Sequence, residues 1–200
     1  MKKNLFYPLF ALVLFLGVSS CSKDPIVVPY NLSDFSPICI PASPNTYGTT
    51  TYEFPVSQND IKSVITTAGV SDAWGRLQSA KLTAIQLQVT SGASTFDEIA
   101  GVQLYAKNAG TSGDGEQVAY TPDISAGSAT IDFLLNGTEI AELVKSGDLV
   151  FTVKLTTKAP GNQNAICMKL SKGVIESKLF LQVVVKKPPE QSEGFLILAI

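Results

Sequence analysis

Three cysteines, seventeen acidic residues and no histidine set the chemistry that this 200-residue chain can attempt. Without imidazole there is no Ser-His-Asp or Cys-His nucleophile system, no histidine-bearing zinc site and no histidine pH switch. The acids offer two places to look. Asp97-Glu98 are adjacent carboxylates that would serve a glycosidase if a partner acid faced them across a cleft. On a single helical turn they read instead as exposed charges. Asp114 and Glu116 sit in and beside the glycine-rich stretch 110–115, where carboxylates can gather around calcium. The ordered ligand spacing of a calcium loop is missing, so a solvated, flexible loop is expected. Tyr47, Tyr52, Tyr105 and Tyr120 are rings that outward strand positions would offer to a sugar or a protein, with framework packing as the plainer reading. No phosphate loop, dinucleotide fingerprint, nucleophile elbow, paired-cysteine or zinc-protease motif occurs. The expectation is a non-enzyme with no catalytic, cofactor-binding or metal site.

The cysteines say more. Residues 1–21 begin with Lys2 and Lys3, continue through an apolar run from Leu5 to Val18, and end in Val18-Ser19-Ser20-Cys21. The run is about fourteen residues, short of the roughly 20 that a membrane helix needs but suited to a secretory signal. Small residues followed by cysteine look like a bacterial lipobox. That predicts cleavage after residue 20 and acylation of Cys21, followed by a proline-rich tether over 21–37. Two or more acyl chains give stable anchoring where one does not. The partner expected first is therefore the membrane, through the N-terminal lipid. A bacterial address also makes the glycosylation-like triplets Asn31-Leu-Ser33 and Asn136-Gly-Thr138 uninformative.

Cleavage changes the arithmetic. It removes two of the fifteen basic residues and no acid, and thirteen bases against seventeen acids leave a net charge of −4. That is no field for nucleic acid. Cys39 and Cys167 remain, in a compartment where disulfides persist. Each lies between apolar residues, in Ile38-Cys39-Ile40 and Ile166-Cys167-Met168. Strand neighbours point to opposite faces. Both thiols would then leave the apolar face and could meet on an outer surface or edge, so a Cys39–Cys167 bond is predicted.

The rest of the mature chain reads as short strands. Thr49 to Val56 is β-branched and aromatic, and a short helix follows over 60–67 with Ile61, Val64 and Ile65 on one face. The single tryptophan, Trp74, reads as a cover over the core end. Lys81 to Thr90 is the clearest strand, with a bulge expected near Ala84 where the alternation changes phase. Strands follow at 102–107 and 117–121, and one run places Ile131, Phe133 and Leu135 on one face. A second helix capped by Thr138 is expected over 138–144. Leu149 to Thr156, Ile166 to Leu170 and Lys178 to Lys187 complete the core. The intervening helices are too short for parallel crossovers. The reading is an all-β fold: an antiparallel immunoglobulin-like β-sandwich with Greek-key connections over residues 38–187, and one or two short helices. An antiparallel barrel is the alternative. Residues 188–200 form a tail ending in six apolar residues.

At Phe96-Asp-Glu-Ile99, Val102-Gln-Leu-Tyr105, Gly137 to Val144 and Asp148 to Thr157, the chain resembles Bacteroidota-type outer-membrane lipoproteins of unassigned role. The likeness spans roughly residues 50–187. It implies a small sandwich on a lipid tether, with no catalytic residues to carry over. Ser22 rather than aspartate after the cysteine favours the outer membrane by the same resemblance. Only Lys23-Asp24 follows, so the periplasmic face and the cell surface both stay open. The functional expectation is a lipid-anchored envelope protein acting as a binding or structural interaction module. Its partner would be an envelope protein or glycan, met by strand faces or by loops such as 108–116. The alternatives are a carboxylate-dependent glycan hydrolase and a subunit of a larger envelope assembly.

Overall fold

The computed structural model describes residues 24–32, 36–43 and 46–180. Cys21, the expected signal peptide, the part of the expected last strand beyond Phe180, and the tail lie outside the described residues. Ten strands and two helices follow in order: β1 (Ile26–Asn31), β2 (Ile38–Ile40), β3 (Thr49–Val56), α1 (Gln58–Thr66), β4 (Leu77–Gly92), β5 (Ile99–Asn108), β6 (Glu116–Thr121), β7 (Thr130–Asp132), β8 (Leu134–Leu135), α2 (Ala141–Ser146), β9 (Leu149–Thr157) and β10 (Ile166–Leu179).

They form two antiparallel sheets packed face to face. The first runs β1-β10-β4-β7, with β2 also pairing β10, and the second runs β3-β9-β5-β6-β8. Among the described residues no strand pairs across the two sheets, so the fold is a sandwich and not a closed barrel. The chain thus forms the antiparallel all-β sandwich expected from its sequence, with Greek-key connections, and its strand order differs in detail from that of an immunoglobulin domain. In that order the first two strands are neighbours in one sheet. Here β1 lies against β10, and the chain passes from β2 to β3 in the opposite sheet, to β4 in the first and back to β5 in the second. This double winding is the order of a jelly roll. Alternation reports that a strand is half-buried and is silent on which strand it meets, so the two orders look alike from sequence.

Three element boundaries also change. Residues 26–31, read as tether, are a full edge strand paired residue for residue with Leu179 back to Val174. The run through Ile131, Phe133 and Leu135 is not one strand. β7 pairs β4 in the first sheet and β8 pairs β6 in the second, leaving Leu135 partly exposed. Thr138 does not cap α2, because its hydroxyl donates to the Gln117 carbonyl at 2.9 Å. The bulge expected near Ala84 is present: Ala84 faces Val174 and Leu82 faces Ile175, with Thr83 as the extra residue.

The core lies between the sheets. Leu82, Ile85, Leu87, Met168 and Ile175 of the first sheet face Val102, Leu104, Phe151, Val153 and Leu155 of the second, all buried. Each such side chain contributes about 1.5–3 kcal/mol by leaving water. Ile61 and Ile65 of α1 close part of the core, and both are fully buried. Ser57 caps α1 by accepting from the Asn59 N–H at 3.2 Å. Gln58 ties the two helices together, its side-chain amide donating to the Val144 and Lys145 carbonyls at 2.9 and 2.7 Å. Those are carbonyls that the last turn of α2 leaves without helical partners. Gly92, at φ +83°, turns the chain out of β4 so close to β10 that a Cβ there would lie 2.0 Å from the Ala165 carbonyl oxygen.

Candidate functional site

The open side of the sandwich holds a cavity. The edge β1–β2 of the first sheet and the edge β3 of the second leave a groove of about 560 Å³ between them, continued by the start of α1. That volume lies within the range of small-ligand sites, roughly 300–1,000 Å³. The groove exists because sheet edges diverge where no strand bridges them. Both edges carry a proline, Pro29 in β1 and Pro55 in β3. Proline removes a ladder donor and guards an edge against a further strand.

Tyr30, Tyr52 and Phe54 supply rings to the groove, Ser36 and Ser57 line it as well, and Asp60 and Glu53 are its acidic lining residues, the Glu53 carboxylate being turned to the outer face of the second sheet by strand alternation. No lysine or arginine is among the lining residues. The Tyr52 hydroxyl donates to the Cys39 carbonyl at 3.0 Å and so joins the two sheets across the groove. Burial pushes the Tyr30 phenol up, and the negative charge of Asp60 pushes it further in the same direction. Burial also raises the Tyr52 phenol. Both therefore stay protonated and able to donate across the physiological range. Glu53 is held at 2.8 Å by Lys107 of β5. A second, more polar depression of about 200 Å³ lies beside β6 and β7, lined by Asp123 and Asp132 among others. Asp132 accepts from the Gln86 side-chain amide at 2.8 Å.

The residues singled out from sequence are distributed differently. Cys39 and Cys167 are bonded, with Cα atoms 4.0 Å apart, directly opposite each other in the β2–β10 pair. Cys39 is exposed and Cys167 half-buried, so the bond lies on the outer face, as the alternation of their neighbours requires. Asp97 and Glu98 do structural duty. The Gly127 N–H at 2.6 Å and the Thr95 hydroxyl at 2.9 Å donate to the Asp97 carboxylate and hold it below the usual carboxylate range. A glycosidase general acid needs the opposite shift. Glu98 accepts from the Asn164 N–H at 3.4 Å.

Asp114 is bound to Lys154 at 2.5 Å, and the Lys107 ammonium donates to the Gly113 carbonyl at 3.1 Å. The loop 108–116 is thereby pinned over the outer face of the second sheet. Among the described residues no group of three or more potential metal ligands occurs. Tyr105 sits under the Lys154 ammonium, 5.3 Å from its ring centre, Tyr47 and Tyr120 are exposed, and of the four tyrosines only Tyr52 reaches the groove. Sequence reasoning missed Tyr30 and Asp60. The alternation in Ile26–Asn31 was the available signal for Tyr30, and prolines at 25 and 29 obscured it.

No helix among the described residues is long and apolar enough to cross a membrane. No family model matches the chain, and no curated protein matches it. Among solved structures the chain is similar to the structure of infectious bursal disease virus Gx strain, with a TM-score of 0.39 and 14% identity over 82% of this chain and 34% of that one. It is similar to Desmodium yellow mottle tymovirus with a TM-score of 0.24 and 12% identity, over 80% of this chain and 90% of that one. The chain thus spans about a third of the first neighbour's length.

Proposed function

We propose that this is a non-enzymatic, lipid-anchored protein of the bacterial outer membrane whose β-sandwich is a binding or structural interaction module, and that its partner, an envelope protein or glycan, seats in the groove between β1–β2 and β3. The observation that carries the reading is the groove itself: a cavity of about 560 Å³ lined by three aromatic residues, two serines and the acidic Asp60. Such sites combine apolar contact area with a few fixed polar groups. Acylation of Cys21 supplies the anchor and the location. Arrays of bacterial glycans and detergent extracts of envelope proteins, probed with the mature chain, test the groove. Binding is expected to fall about 5- to 30-fold in Tyr30→Ala and Asp60→Asn, each costing about 1–2 kcal/mol through a lost contact or hydrogen bond. Asp60→Asn should keep the parent melting temperature within a few degrees, and Tyr30→Ala, which also loses packing on the core, should melt lower but still cooperatively. Binding that both variants leave intact would overturn the assignment.

The glycan-hydrolase reading would need Glu53, which lines the same groove as Asp60, to leave its ion pair with Lys107 and turn its carboxylate inward. It requires that Glu53→Gln and Asp60→Asn each abolish release of reducing ends from an envelope glycan. A wild-type chain that releases none removes it.

A further inference from the structure

Only Ser22 to Pro25 separate Cys21 from the first residue of β1, Ile26. Fully extended, that stretch reaches about 18 Å. β4 has sixteen residues, and at a strand's rise it runs about 50 Å from one end of the sandwich to the other. An anchor at Cys21 therefore leashes one end of the domain far more tightly than the other. Ile26 pairs with Leu179, and the Phe180 N–H donates to the Arg76 carbonyl at 3.3 Å. The leashed end thus collects the start of β1, the end of β10 and the turn leading into β4. Two apolar side chains stand out of it, Val27 at 48% and Phe180 at 41% exposure.

Resting on the reading of Cys21 as acylated, we propose that this end of the sandwich sits on the lipid surface, with Val27 and Phe180 toward the bilayer and the Cys39–Cys167 end pointing away. The charged groups nearby have both signs: Asp24, Asp72, Glu139 and Glu176 against Lys62, Arg76, Lys81 and Lys178. The contact is therefore apolar and steric, and it persists at high salt, where an electrostatic one would weaken. Tyr30 lies four residues along β1 from Ile26, about 13 Å further from the anchor. The groove consequently opens above the contact and stays accessible.

Two tryptophan reporters test this in the full chain, expressed in an envelope-bearing bacterium and reconstituted in phosphatidylcholine vesicles with a headgroup spin label. Phe180→Trp and Tyr47→Trp are each made with Trp74→Phe, so that each protein has one indole. Tyr47 lies at the far end and is 67% exposed. Quenching is expected to be about threefold or more stronger at position 180 than at position 47, given the ~18 Å leash, and unchanged by added salt. Equal quenching, or stronger quenching at position 47, overturns the orientation. Intact mass keeps the two readings apart. Acylated protein with the wrong quenching order refutes the orientation alone, and a chain with no acyl mass on Cys21 refutes the anchor and the orientation with it.

Discussion

Glu139 shows how a single side chain carries structure that no motif announces. Its carboxylate accepts from the Ser79 hydroxyl at 2.6 Å, the Ala80 N–H at 2.5 Å and the Ala141 N–H at 3.2 Å. It thereby joins β4 to the first turn of α2, the place where Thr138 was expected to act. Partial burial pushes its carboxyl up, but the three hydrogen bonds and the nearby charge of Lys81 outweigh that and hold it below the ordinary value of 4.5. A depressed folded value means that the carboxylate stabilises the fold above 4.5 and that this contribution is lost as pH falls through the folded value. Glu139→Gln should lower the melting temperature at neutral pH and melt alongside the parent once both are well below that value. Thermal melts of the two proteins across this window check it. A constant gap at every pH would show that ionisation is not the cause. Helix-capping rules point to Thr138 because they weigh a residue against its own helix. Glu139 wins because β4, about sixty residues away in sequence, brings two donors to it.

At the scale of elements, β10 organises the first sheet. It pairs β1 along one half, β2 along the other and β4 along its opposite edge. The disulfide fastens β2, the shortest and least anchored of these partners, over only three residue pairs. Its loop of 128 residues allows at most about 5 kcal/mol in chain-entropy terms, and about 2–4 kcal/mol is the usual yield. Denaturant unfolding of a Cys39→Ser/Cys167→Ser double variant should show a loss in that range without loss of the fold, since β10 keeps its β1 and β4 pairings. A loss near zero would mean that the unfolded state gains little freedom from breaking the link. This bond was legible in the sequence, because apolar neighbours on both sides of each cysteine turn both thiols outward. The strands at 49–56 and 149–157, the bulge beside Ala84 and the helix closing with Ile65 were legible for the same reason: each is written in a local period. The division of 130–135 between two sheets was not, since both halves keep the alternation of one strand.

For the whole molecule, the sandwich begins earlier than composition implies. β1 covers Leu179 and Ile175, which are fully buried. Its own Val28 is buried, with Ile26 and Tyr30 packed against the core. Losing three such side chains removes about 5 kcal/mol, comparable with the entire stability of an ordinary domain. A chain starting at Ile38 should therefore fail to unfold cooperatively, whereas one starting at Asp24 should keep the parent melting temperature. Cooperative melting of the shorter chain would refute the place of β1 in the core. Its position also joins the two functional proposals, because the strand that ends in the groove at Tyr30 begins at the leash from Cys21.

What the sequence determined by itself is local. Period-two alternation marks the strands as half-buried, the short spacing between turns excludes parallel crossovers, and the flanks of Cys39 and Cys167 turn both sulfurs to the outside. The tertiary structure decided what local periods cannot express. It made β1 and β10 neighbours, sent β7 and β8 to different sheets and left a groove where two edges diverge. These outcomes depend on pairings between separate strands, from Ala119 with Leu135 to Ile26 with Leu179. Which strand pairs with which follows from closing long loops around one shared core, and alternation within a strand is the same for every candidate partner.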